Sequence, residues 1–170
     1  MSMFSTYLRP GFLLVLLIAC HVTQAETRIA ILDFELNDIT SLPHTPQELQ
    51  RTASIQPLLE QAMREIGEYQ IIKITPKQQQ AENAGFGYLF HFHDIVAKLG
   101  KGEGADWIIV GQHSKPSFLF SYLMAHVINV KTGKLVVRFD IELKGNHQKV
   151  TRRAVSKLAR EINRVIKKVR

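Results

Sequence analysis

The C-terminal segment constrains the chain most. Over residues 147–169, Val155, Leu158, Ile162, Val165, Ile166 and Val169 recur at three- and four-residue spacing and form one stripe on a 100° wheel. Lys149, Arg152, Arg153, Lys157, Arg160, Arg164, Lys167 and Lys168 cover the rest of that surface. A long helix of this kind must lay its stripe on another apolar layer.

The upstream sequence supplies that layer as strands. Residues 28–34 (RIAILDF) form a short β-rich apolar run, followed by a polar loop with turn residues Asn37, Asp38, Ser41 and Pro43. Thr45 and Pro46 mark a helix start, and Ile55, Leu58, Leu59, Ala62, Met63 and Ile66 give residues 47–66 a helical apolar face. Gly67 ends that helix, residues 69–74 form a second strand, and Pro76 stops it. A helical turn or two is expected after Pro76, then a helix over HFHDIVAKLG with Phe92, Ile95, Val96 and Leu99 inward. WIIV at 107–110 is a third strand, and residues 118–130, apolar on both faces, predict a long central one. A tight turn at Lys131-Thr132-Gly133-Lys134 leads into a strand over 135–143. There Leu135, Val137, Phe139, Ile141 and Leu143 alternate with Arg138, Asp140 and Glu142. The order β-α-β-α-β-β-β-α specifies an α/β fold: a single domain, a mixed sheet of about five strands with helices packed on it, and a basic amphipathic helix at the end.

Composition agrees with one domain. The 170 residues are 45% hydrophobic and 22% charged, with a single cysteine, which excludes a disordered tail, a collagen-like fibre and a disulfide-stapled mini-protein. Only one apolar run is free of charge for more than a few turns, which excludes a multi-span membrane protein. That run, residues 11–20, follows Arg9, and residues 1–25 read as a secretory signal with the mature domain at 26–170. Two processing sites fit: cleavage after Ala25, or a lipobox (Leu17-Ile18-Ala19-Cys20) that acylates Cys20. Only seven residues would tether a Cys20-anchored domain before its first strand. Both routes lead to the periplasm, and both remove a free thiol from the mature domain, so thiol redox chemistry is left out.

Several segments together resemble a family. Ile29-Ala30-Ile31-Leu32-Asp33-Phe34-Glu35-Leu36 follows directly on the leader. Gly104-Ala105-Asp106-Trp107-Ile108-Ile109-Val110-Gly111 comes later, then a long strand, a Thr132-Gly133 hairpin, and Asp140-Ile141 with Gly145-Asn146 before the last helix. This order resembles an uncharacterised bacterial periplasmic family and, more distantly, the TolB amino-terminal and CsgG-type envelope domains. The resemblance implies a small α/β domain that docks within envelope machinery. It also implies a second reading, an accessory factor of a periplasmic quinoprotein dehydrogenase system that binds a small cofactor or metal. Related sequences often carry a cysteine pair where this chain has residues 86–93, FGYLFHFH.

No motif supplies a reaction. Asp33, Glu35 and Asp38 cluster at the end of strand one, where oxygen donors can hold a divalent cation, and alternation would put Asp33 and Glu35 on one face. They lack a defined coordination set, and the plainer expectation is a loop cap and solvated carboxylates. His91 and His93 form an H-x-H pair, with His113 and His126 on strands, but positions two apart on a helix point away from each other. Residues 100–104 (GKGEG) lack the phosphate-loop spacing and precede a strand, so a flexible turn is expected. No serine lies in a nucleophile elbow. The sequence therefore predicts no enzyme, no cofactor and no metal site.

Charge gives the firmest hint. Residues 144–170 hold ten Lys/Arg against Glu161 alone, a balance of +9, whereas residues 26–143 hold eleven against fourteen acids, or −3. Such a face suits an acidic envelope protein or another anionic envelope component, with peripheral membrane contact if Cys20 is lipidated. Export argues against nucleic acid. Lys157, Arg160, Arg164 and Lys168 are the expected contact residues.

Overall fold

A computed structural model describes residues 26–40, 43–145 and 148–169; the leader, Cys20 included, lies outside the described residues. The strands are β1 (Thr27–Ile31), β2 (Glu35–Asp38), β3 (Tyr69–Ile72), β4 (Trp107–Lys115), β5 (Ser121–Asn129) and β6 (Lys134–Leu143). The helices are α1 (Pro46–Ala53), α2 (Ile55–Ile66), α3 (Pro76–Glu82), α4 (Tyr88–His91), α5 (His93–Gly102) and α6 (Gln148–Val169). The six strands form one mixed sheet in the order β3-β1-β4-β5-β6, with β2 also on β4. β1, β2 and β3 run parallel to their neighbours, while β4, β5 and β6 form an antiparallel meander.

Helices cover both faces of this sheet. On one face α2 and α6 bury Ile55, Leu59, Met63, Val155, Leu158 and Ile162 against Ile29, Ile109, Leu123 and Val127. On the other, α4 and α5 bury Leu89, Phe90, Val96 and Leu99 against Ala30, Leu32, Ile108 and Ile128. No helix among the described residues is long and apolar enough to cross a membrane.

Local chemistry explains the boundaries. α1 opens on a capping box, in which the Thr45 hydroxyl accepts from the Glu48 N–H and the Glu48 carboxylate accepts from the Thr45 N–H; Pro46 occupies the first turn. Thr75, Pro76 and Gln78 repeat the device at α3. The single helix expected over 47–66 is broken at Ser54, because Pro57 has no N–H to donate to the Ala53 carbonyl. Phe92, expected inward, is exposed at the joint between α4 and α5.

The first strand departs most from its reading. Ile31 sits opposite Ile109, but Glu35 sits opposite Gln112, so three residues, 32–34, face two residues of β4. This bulge splits the expected strand 28–34 and lets Glu35–Asp38, expected as loop, pair as β2. It also resets the alternation. Leu32 enters the α5-side core, Asp33 is expelled to solvent, and Phe34 turns into the α2-side core. The Phe34 ring lies directly over Gly111, where a Cβ would collide with it.

Similar slips occur downstream. β4 runs to Lys115 rather than ending at Val110, and β5 begins at Ser121, leaving Phe118, Leu119 and Phe120 exposed in the connecting loop. β5 is interior as expected, paired on both sides, with β4 in the middle of the sheet. A register shift near Val127 and Ile128 pairs Leu135 with Ile128 and Val137 with Val127. Leu135 therefore leaves the face it was expected to share with Val137, while Arg138, Asp140 and Glu142 stay exposed as expected.

Gly111→Ala should cost about 1–3 kcal/mol through overpacking against Phe34. Adding Phe34→Leu should recover part of that loss. Urea midpoints of the two variants would show it, and an unchanged midpoint in Gly111→Ala would mean that the ring moves freely.

Candidate functional site

The sequence-derived candidates fall into separate places. Asp33, in the bulge, exchanges backbone bonds with Gln79, whose side chain accepts from the Asp33 N–H at 2.8 Å and donates to its carbonyl at 3.0 Å. Glu35 accepts from Asn83 Nδ2 at 3.1 Å, the Gly87 N–H at 2.9 Å and Gln112 Nε2 at 3.3 Å, fastening the loop before α4 to β2 and β4. Gly87 sits at φ 74°, which a side chain would strain. The bulge thus overturns the expectation that Asp33 and Glu35 share a face.

Asp38 has a third role. Its carboxylate accepts from the Thr40 N–H and hydroxyl, at 2.9 and 2.6 Å, and lies 3.3 Å from Lys115 Nζ, which also pairs with Glu48. Burial alone would raise the Asp38 pKa, but the Thr40 bonds and Lys115 outweigh it and hold it below the ordinary carboxylate range. This ion cluster joins β2, β4 and α1. Beneath residues 117–121, Glu48, Arg51, His113 and Lys115 line one small cavity. Arg51 donates to Thr151 Oγ1 at 2.7 Å and to the Gly145 carbonyl at 3.1 Å, tying α1 to the start of α6.

The four histidines occupy opposite faces of the sheet. On the α2 side, the Thr52 hydroxyl donates to the Glu48 carbonyl at 3.0 Å, so it accepts from His113 Nδ1 at 2.8 Å, leaving Nε2 buried as a bare acceptor. On the α5 side, His126 Nδ1 lies 3.1 Å from the Phe90 carbonyl and 2.9 Å from His93 Nε2, which fits two neutral rings. His91 is exposed. Burial is the main force lowering both His113 and His126 to about 4, with Arg51 adding to it at His113 and His93 at His126. Among the described residues no group of three or more His, Cys, Asp or Glu is placed to hold a metal ion.

Residues 100–104 close α5 onto β4. The Ala105 N–H donates to the Gly100 carbonyl at 2.9 Å, and a Cβ at Gly100 would press on Val130 and Ile108. Glu103 accepts from Gln78 at 2.6 Å.

The basic candidates have a different setting. Lys157, Arg160, Arg164 and Lys168 are all exposed along α6, and Arg164 pairs with Glu161 at 2.6 Å. The expected cluster on one helix is therefore present as an open surface. Sequence reading missed two features. The Asp38–Lys115–Glu48 cluster joins residues far apart in the chain, so no spacing announces it. The apolar tip at Phe118-Leu119-Phe120 was absorbed into a strand, although Pro116 and Ser117 before it are turn residues.

The fold defines a small three-layer α/β domain that ends in an exposed basic helix. The chain belongs to a family described as "Protein of unknown function (DUF2380)", whose model matches residues 27–162. No curated protein matches it. Among solved structures it is similar to TolB from Acinetobacter baumannii, at 15% identity and a TM-score of 0.53, over 82% of this chain and 28% of that one. It is also similar to the lipoprotein GNA1162 from Neisseria meningitidis, at 12% identity and a TM-score of 0.51, over 81% of this chain and 96% of the other. The LpoB C-terminal domain from Salmonella enterica aligns at 12% identity and a TM-score of 0.49, over 74% and 87%.

Acid should destabilise the domain. His113 and His126 bind a proton in the unfolded chain near pH 6.5 but in the fold only near 4, so stability falls as pH drops through that window. Each can add a slope of up to about 1.4 kcal/mol per pH unit there. Urea midpoints from pH 7 to 4 should drop, and His113→Gln or His126→Gln should flatten the drop. A flat wild-type profile would show that the rings titrate normally.

Proposed function

We propose that this chain is a non-enzymatic adaptor domain of the bacterial envelope that binds a partner protein through the basic face of α6. The loops after β2 and β4 serve as a second contact region. One observation carries the reading. The apolar stripe of α6 is buried on its own sheet from Val155 to Ile166, with Leu158, Ala159 and Ile162 fully buried and only the terminal Val169 exposed, while Lys157, Arg160, Arg164 and Lys168 stay exposed. Within α6 eight Lys/Arg stand against one acid, Glu161, which pairs with Arg164.

The loops add an apolar element. Ile39, Phe118, Leu119 and Phe120 are exposed at the end of the sheet where β2 and β4 finish, and grouped apolar side chains of this kind mark contact surfaces. The likeness in fold to TolB and to a lipoprotein supports an envelope setting. Residues 1–25 supply the export signal to the periplasm, with Cys20 as the lipid anchor if it is acylated.

Affinity capture from an envelope extract at low and high salt tests this. One protein partner should be retained at low salt and released at high salt. Reversing Lys157, Arg160, Arg164 and Lys168 to Glu should abolish its capture while leaving the circular dichroism unchanged. Capture unaffected by the reversal would reduce the basic face to solvation. A co-purifying metal or small molecule with no retained protein would overturn the adaptor reading.

A further inference from the structure

The sheet ends on β6, and α6 lies along that end. Among the described residues β6 pairs with β5 on one side only. An edge of this kind presents a row of backbone N–H and C=O groups to any extended chain beside it. α6 returns antiparallel to β6: β6 finishes beside Ser121, α6 begins close by, and Asn163, near its far end, accepts from the hydroxyl of Tyr69 at the start of β3.

The two flanks of α6 differ. One flank meets α2, where Arg152, Val155 and Ser156 line a groove with Leu58 and Gln61. Helical geometry puts Lys157, Arg164 and Lys168 on the side of α6 turned away from α2, and the helix itself packs on β6. All three are exposed, and the acid among them, Glu161, is already paired with Arg164. From Lys157 to Lys168 is about 16 Å along the helix, the length of about five strand residues. The strand below contributes half-buried Val137 and Phe139 to that face.

We propose that β6 and this flank of α6 form a docking groove for an extended acidic segment of a partner protein. The segment adds to the sheet as a strand beside β6 and turns its carboxylates up toward Lys157, Arg164 and Lys168. The proposal rests on the reading of α6 as the partner surface and specifies that partner's chemistry. A second copy of this chain is a poor occupant. Antiparallel pairing of two β6 edges would bring both α6 flanks face to face, opposing the same three cations. On the opposite face of the sheet Arg138, Asp140 and Glu142 present both signs, so alternate side chains of the segment meet mixed charge there.

The test uses the chain as purified from cells and a dye-labelled twelve-residue peptide of alternating Glu and Val. Two controls accompany it: the same peptide N-methylated along one edge, and a Lys/Val counterpart. The Glu/Val peptide should bind by fluorescence anisotropy, weaken with salt, and slow amide exchange in residues 134–143. N-methylation should cost at least about tenfold, as should Lys157→Glu/Arg164→Glu/Lys168→Glu, with the Gln triple variant as a milder check on folding. Failure of the Glu/Val peptide to bind would overturn the proposal. So would equal binding of the N-methylated peptide, or unchanged exchange in β6. Phosphatidylglycerol vesicles displacing the peptide without protecting β6 would overturn it in favour of lipid. In each of these cases capture of a partner from extract could still succeed, which separates this proposal from the adaptor reading. Conversely, strand addition with no partner captured would leave the groove standing and remove the adaptor.

Discussion

Burial of the α6 stripe against β5 and β6 is the interaction on which the rest of the molecule depends. Full burial of each Val, Leu or Ile is worth roughly 1.5–3 kcal/mol, and Val155, Leu158, Ile162 and Ile166 all lie at the interface. Once those residues face the sheet, the orientation of the whole helix is fixed. Eight basic side chains are then committed to solvent or to the margins of the layer. The charge that gives the domain its surface character is therefore a consequence of how its core closes.

The helix is held at both ends by polar ties. Arg51 reaches from α1 to Thr151 and Gly145 at its start, and the Tyr69 hydroxyl donates to Asn163 toward its end. Both ties join elements distant in the chain, and they fix α6 against α1 at one end and β3 toward the other.

A single inserted residue organises the other end of the molecule. The bulge at 32–34 moves Asp33 out of the sheet, seats Phe34 on Gly111, and frees Glu35 and Asp38 to brace two different loops. Three carboxylates that look alike in sequence thus become a turn residue, a loop fastener and a member of a buried ion cluster. The three therefore have separate partners in the fold.

Much of the architecture was legible because it is periodic or punctuated locally. The 3.6-residue stripe of α6, the Thr-Pro helix starts and the Thr132-Gly133 turn act over a few residues, so the sequence alone determined an α/β chain ending in a basic amphipathic helix. Alternation failed where the chain gains or loses a residue against its neighbour, at 32–34 and at Val136, because register is a property of two strands. It failed too at residues 118–120, where apolar side chains that read as strand interior stand in solvent. The sequence also named Lys157, Arg164 and Lys168, but only as cations on a helix. That they face away from α2 on a helix packed against the outermost strand was decided by tertiary structure, since the strand order that leaves β6 outermost and the side on which α2 packs come from long-range pairing and burial.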